Sequence, residues 1–128
     1  MRVAKDDVEV RMEIPGVAIR QRKNFGDAQG FNEISAEYFT LAAGVDTTPL
    51  FVGLEGNLCQ CPHWGFVLRG ELTTTDAHGA QETVTTHDLF YWPPGHNVKV
   101  NVDAEIVMFS PQHAHSQVID HMIEKLVH

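Results

Sequence analysis

The chain has 128 residues, enough for one domain with its own hydrophobic core. Its 17 acidic and 9 basic residues give a formal net charge of -8, which argues against nucleic acid or an anionic membrane as a partner. The N-terminus lacks a secretory signal and no apolar run reaches transmembrane length, so we expect a cytoplasmic protein.

Short segments with strand character follow one another along most of the chain, separated by Gly, Pro and Asp turns. In chain order they cover residues 8–14, 17–20, 37–41, 66–75, 81–86, 89–92, 98–102 and 105–109. Strands of this length and spacing indicate an all-β sandwich or barrel. Gly70 lies inside one of these segments and indicates a bulge or a sharp bend.

The last segment has a different period. Apolar residues recur at helical spacing, at Val118, Ile119, Met122, Ile123, Leu126 and Val127. This pattern predicts a C-terminal amphipathic helix over residues 114–127 that packs against the barrel or a partner subunit.

Two stretches carry side chains that bind metals. The chain has only two cysteines, and both lie in Cys59-Gln60-Cys61-Pro62-His63. A second stretch reads Pro93-Pro94-Gly95-His96. Cysteines this close together do not suggest a disulfide framework, so we expect reduced thiols. Thiolates and imidazoles are ligands of borderline and soft transition metals.

These stretches, together with the strands beside them, resemble the two motifs of the cupin superfamily. The first motif corresponds to residues 59–72 and the second to residues 87–96, and the resemblance covers roughly residues 57–111. It implies a cupin-type jelly-roll barrel with a core over about residues 31–111. With the C-terminal helix, the whole chain, 1–128, is then expected to form a single domain.

The resemblance also assigns positions to the candidate ligands, although none of the usual ligands is retained. Cys59 takes the place of the second histidine of the first motif, Asn57 that of the first, and His63 that of the glutamate. His96 lies two residues before the usual histidine of the second motif. Because two residues are one strand period, His96 is expected to keep the inward direction.

The residue types predict a metal site formed by Cys59, His63 and His96. One thiolate and two imidazoles leave a position open for water or substrate, as in catalytic zinc sites. If Cys61 also binds, the site becomes a closed four-ligand site of the structural kind. The sulfur and nitrogen ligands favour zinc, with iron, nickel and copper as alternatives. The remaining alternative is a metal-free pocket in which these side chains only pack.

Two further residues are predicted substrate contacts. If His63 points inward, strand alternation points Arg69 inward as well, toward a carboxylate substrate or an acid at the barrel rim. Tyr91 lies within the second motif, and core packing is its alternative role. His113 and His115 lie at the start of the predicted helix. Metal binding and a surface position are their alternative roles, and we expect the surface position.

The same alternation turns Trp64, Phe66 and Leu68 outward. An apolar outer face of this kind suits a homodimer interface.

Three functions are compatible with these features. The first is a small metalloenzyme acting on a small organic molecule, and the resemblance implies isomerase, lyase or dioxygenase-type chemistry. The second is a non-catalytic module that binds a small ligand or holds a structural metal. The third is a metal-free enzyme that uses His63 or His96 as general acid or base. Whether the protein is an enzyme at all stays open at this stage.

Overall fold

A computed structural model describes residues 1–26 and 28–127 of the protein; Asp27 and His128, which the predicted domain range includes, lie outside these. The described residues form seven strands and one α-helix. The strands are β1 (Val10–Ile14), β2 (Val17–Arg22), β3 (Ile34–Leu41), β4 (His63–Asp76), β5 (Gln81–Thr85), β6 (Leu89–Trp92) and β7 (His96–Pro111), and the helix is α1 (Gln112–Val127). Short 3₁₀ helices cover Lys5–Asp7, Thr48–Leu50 and Glu55–Asn57.

All strand pairings are antiparallel, in the order β1-β2-β3-β7-β4-β5, with β6 paired to the first residues of β4. The long strand β7 is the centre of the sheet. It pairs with β3 through its second half and with β4 along most of its length. The curled sheet encloses one cluster of buried apolar side chains. The fold is therefore a small barrel.

The predicted strands are present, with two differences. Segments 98–102 and 105–109 belong to the single strand β7, which runs without a break from His96 to Pro111. The barrel also begins earlier than residue 31, because β1 and β2 are part of the sheet. Ile19 of β2 is completely buried in the core.

The predicted C-terminal helix is also present, and it begins two residues early at Gln112. Its apolar face packs against the barrel, burying Val118, Ile119 and Met122. Arg11 of β1 pairs with Asp120 and so ties the first strand to the helix. In the described part of the chain, no helix combines the length and the apolar character needed to cross a bilayer.

A bulge interrupts β4 at Gly70. The pairing register with β7 shifts on both sides of Arg69, and Gly70 has a φ of +96°. A Cβ atom at this position would lie 2.5 Å from the Cα of Ala104 and would collide with the carbonyl oxygen of Asp103. Only glycine fits here, and side-chain alternation along β4 is broken at this point.

Candidate metal centre

Cys59, His63 and His96 converge inside the barrel. Their ligand atoms lie within 4.8 Å of one another, and all three side chains are buried. The Cys59 Sγ lies 3.6 Å from the His63 Nε2. Sulfur and nitrogen ligands at about 2.3 Å and about 2.05 Å from one tetrahedral zinc ion lie about 3.6 Å apart. The spacing therefore fits two ligands of one ion.

Backbone hydrogen bonds hold Cys59 beside His96, although the two residues are far apart in sequence. The Cys59 N–H donates to the His96 carbonyl at 2.9 Å, and the His96 N–H donates back at 3.2 Å. The Gly95 N–H donates to the same Cys59 carbonyl at 2.8 Å. This bridge is where the two predicted motifs meet.

Each histidine ring is oriented by a hydrogen bond at its Nδ1. The His96 Nδ1 lies 2.7 Å from the Pro93 carbonyl, which can only accept, so this nitrogen carries the proton. The His63 Nδ1 lies 2.7 Å from the Ser110 Oγ. Ser110 donates its own proton to the Glu37 Oε1 at 2.7 Å, so it accepts from His63. Both rings therefore present an unprotonated Nε2, the form that binds a metal.

A buried hydrogen-bond network surrounds Glu37, which is completely buried. Its carboxylate accepts from Ser35 at 3.0 Å and from Gln21 at 3.4 Å, in addition to Ser110. It also pairs with the His115 Nδ1. Glu37, His63 and His115 are close enough to form a second group of possible ligands. Because the carboxylate already has four donors, we assign this group to the orientation of His63 rather than to a second ion.

Burial keeps the three candidate ligands uncharged. It raises the pKa of the Cys59 thiol to about 12. Burial, followed by the neighbouring His115 and His96, holds the pKa of His63 well below its usual value. Burial also lowers the pKa of His96. Both imidazoles can thus take a metal without losing a proton, whereas the thiol must release one.

The three side chains form part of the wall of a cavity in the barrel interior. The volume open to the centre of a water molecule is about 40 Å³. This is room for a few water-sized groups. The remaining wall is mostly apolar and includes Ile19, Phe39, Leu41, Phe51, Val98, Ile106, Met108, Val118 and Met122.

Cys61 does not belong to the group formed by Cys59, His63 and His96. It is buried, but its Sγ lies 3.4 Å from the Pro62 carbonyl and 3.9 Å from the Pro111 carbonyl. Cys59 and Cys61 would point to the same side only in an extended strand, and β4 begins only at His63. The structure therefore brings three of the four predicted ligands together.

The two predicted substrate contacts lie outside the cavity. Arg69 is exposed, 3.8 Å from Glu105, so the prediction of an inward Arg69 is wrong. The bulge at Gly70 is the reason, because alternation from His63 holds only as far as Val67. Tyr91 is 49% exposed and stacks on Trp64 with ring centroids 5.3 Å apart.

Sequence reasoning missed Glu37 and His115. His115 is expected on the surface but is only 3% exposed, and its ring centroid lies 4.3 Å from that of His63. Both residues had a local signal. His115 precedes Val118 and Ile119 by three and four residues, which places it on the apolar face of the helix. Glu37 alternates with Phe39 on the inward face of β3.

No protein-family model matches the chain, and no curated protein matches it by sequence. Solved structures do match. Bacillus subtilis oxalate decarboxylase, described as having Mn(II) centres, aligns with a TM-score of 0.57 and 19% identity over 83% of this chain and 28% of its own. The present chain therefore spans about a quarter of that enzyme's length.

Two similar structures are closer to this chain in size. The polyketide cyclase RemF from Streptomyces resistomycificus aligns with a TM-score of 0.56 and 18% identity over 87% of this chain and 78% of its own. An RmlC-like cupin from Shewanella frigidimarina aligns with a TM-score of 0.56 and 17% identity over 85% and 88%. Likeness at such low identity concerns the fold alone.

Proposed function

We propose that this chain, which has the cupin jelly-roll fold, is a small metalloenzyme that binds one transition metal ion and acts on a small organic molecule. Cys59, His63 and His96 would hold the ion. The observation that supports this most strongly is the approach of their three ligand atoms to within 4.8 Å in a buried site. One sulfur and two nitrogen ligands favour zinc, with iron, nickel and copper as alternatives.

The arrangement supports a site with an open position. Cys61 lies outside the set, which leaves three protein ligands at the cavity wall. A metal bound there would supply Lewis-acid chemistry that polarises a carbonyl group or activates water. The apolar walls exclude bulk water, and Pro93 and Ser110 hold the two imidazole rings in place. Isomerase or lyase chemistry suits a thiolate-containing site better than dioxygenase chemistry.

A second candidate function is a non-catalytic module with a structural metal. The size of the cavity favours it, because about 40 Å³ admits only a very small ligand. The two functions differ in whether a small molecule can reach the ion. In cobalt-substituted protein, a visible spectrum that changes on addition of azide would support the open site. A spectrum that does not change would support the structural one.

The ligand assignment is tested by metal analysis of two cysteine variants. Protein purified without added metal should contain one equivalent of transition metal per chain, and Cys61→Ala should match it. Cys59→Ala should bind the metal at least about a hundredfold more weakly, since it removes a direct ligand. Less than about a tenth of an equivalent in all three proteins would reject the metal site.

We also propose that the protein is a homodimer. The outer faces of β4, β6 and β7 carry a group of partly or fully exposed apolar side chains, named here the outer apolar face: Trp64, Phe66, Leu68, Leu89, Tyr91 and Phe109. Trp64 pairs in register with both Tyr91 and Phe109, so the group is continuous across three strands. With a net charge of -8, two copies repel over most of their surface, and this uncharged face is where a second copy can approach.

A further inference from the structure

Trp92 has an unpaired hydrogen-bond donor. Its side chain is only 3% exposed. Among the buried side-chain nitrogen and oxygen atoms of the described residues, its Nε1 is the one without a partner. Burying such a donor is unfavourable unless an acceptor pairs with it, and buried tryptophans usually have one. The orphan N–H therefore points to an acceptor that is not part of the chain.

The ring of Trp92 lies next to the proposed metal site. Trp92 is the last residue of β6 and pairs in register with His63. Its ring centroid lies 6.3 Å from that of His63 and 5.8 Å from that of His96. It also lines the same cavity as the three candidate ligands.

The volume of the cavity limits the size of the molecule that can carry the acceptor. About 40 Å³ is too small for a sugar or a polycyclic compound while the barrel stays closed, but it admits a molecule of a few non-hydrogen atoms. Its other walls are mostly apolar and suit a short hydrocarbon part. A compact molecule with an oxygen acceptor matches both the unpaired N–H and these walls.

We propose that Trp92 is a ligand-binding residue whose indole N–H donates a hydrogen bond to an oxygen atom of a small carboxylate or carbonyl compound. This inference rests on the proposed function, because it places the compound beside the metal held by Cys59, His63 and His96. It also limits the substrate class to molecules about the size of acetate.

The indole N–H can be observed directly, because the chain contains only two tryptophans. The ¹H–¹⁵N spectrum of the zinc-loaded protein should show two indole signals, which a Trp64→Phe variant assigns. We expect the Trp92 signal to shift and saturate on titration with one of two probes. These are acetate, which is a carboxylate, and acetone, which is a neutral carbonyl compound. The Trp64 signal, from a ring 49% exposed on the outer surface, should stay in place and is the internal control.

A Trp92→Phe variant gives the second measurement. It should keep one equivalent of zinc but bind the effective probe about tenfold more weakly, as expected for the loss of one hydrogen bond. The larger benzoate should not shift the Trp92 signal in the wild-type protein.

Three outcomes would overturn the inference. In each case zinc is bound. The first is a Trp92 signal that shifts with neither acetate nor acetone, and the second is a Trp92 signal that shifts only when the Trp64 signal shifts as well. The third is a Trp92→Phe variant that binds the probe as tightly as the wild-type protein. In these cases the metal site would stand. A protein that does not retain zinc would instead reject the proposed function and this inference with it.

Discussion

Ser110 is a buried hydroxyl that connects His63 to Glu37. It accepts from the His63 Nδ1 and donates to the Glu37 carboxylate, each at 2.7 Å. This fixes the tautomer in which the His63 Nε2 faces Cys59. Hydrogen bonds to metal-bound histidines commonly raise metal affinity by about 10- to 100-fold. Ser110 is therefore expected to act as a positioning residue.

Ser110→Ala should weaken zinc binding by about 10- to 100-fold, measured by competition with a chromophoric chelator. The matched control is Ser116→Ala. Ser116 contacts the same network through Gln21 at 3.3 Å, and Gln21 in turn reaches Glu37. The control should bind zinc as tightly as the wild type. Equal affinity in both variants would contradict the orienting role of Ser110.

His63 and His96 make the stability of the metal-free protein depend on pH. Both have a pKa below the usual 6.5 in the folded state. Below pH 6.5 the unfolded chain therefore binds protons that the folded chain does not. The free energy of unfolding should have its full value above pH 6.5 and should decrease as the pH falls below 6.5. Each histidine contributes a slope of up to about 1.4 kcal/mol per pH unit.

Urea unfolding of chelator-treated protein at pH 7.5 and pH 5.5 measures this slope. His96→Asn should make it shallower, whereas replacing the exposed turn residue His78 by Ala should leave it unchanged. Stability that does not change between the two pH values would show that the two imidazoles are not buried in their neutral form.

At the scale of single elements, the bulge in β4 depends on Gly70. This residue combines a φ of +96° with backbone atoms packed where a side chain would begin. Gly79 has a φ of +82°, but a Cβ atom added there would meet no other atom within 4 Å. The two glycines share a positive φ, which would strain an alanine, and they differ in the space around them. Their alanine variants therefore separate the two effects.

Gly70→Ala should lower the free energy of unfolding by about 3 kcal/mol or more, because it adds a backbone collision to the strain of a positive φ. Gly79→Ala should lower it by about 1 kcal/mol through strain alone. Denaturant unfolding measures both values. Similar losses in the two variants would mean that the strand moves away to make room at Gly70.

The elements show which parts of the structure follow from local sequence. Strand alternation and the helical spacing from Val118 to Val127 predict most strands and the helix, because each pattern is set by neighbouring residues. The prediction that Arg69 points inward is wrong. Gly70 indicates a bulge, but the residue at which side-chain alternation breaks depends on pairing with the distant β7. The cupin fold, predicted from the two motifs, is confirmed.

The candidate site likewise has a part that the sequence predicts and a part that only the structure reveals. Residue type and the two motifs together predict Cys59, His63 and His96 as ligands, with Cys61 as a fourth, since few residue types bind transition metals. Glu37 and His115 come from β3 and α1, and nothing near them in sequence indicates that they meet beside His63. Their role depends on tertiary contacts, which local patterns do not contain.

At the scale of the whole molecule, fold and chemistry are separate questions. The similar structures include a decarboxylase with Mn(II) centres and a polyketide cyclase, so the barrel alone does not select a reaction. In this chain α1 contributes His115, Val118 and Met122 to the cavity wall. The helix thus reduces the space in the cavity. Under the proposed function, the size of a ligand that fits there depends on how α1 packs on the barrel.

The outer apolar face leads us to predict the oligomeric state of the protein, a homodimer. Light scattering coupled to size-exclusion chromatography should give twice the chain mass of 14.3 kDa. Leu89 is 82% exposed on this face, and Leu89→Lys should produce a monomer, because it places two like charges in an apolar contact. Val127 is 73% exposed at the end of α1 and is not one of the residues of the outer apolar face, so Val127→Lys should remain a dimer. A wild-type protein that elutes as a monomer would reject the homodimer, and a dimer unchanged in Leu89→Lys would place its interface elsewhere.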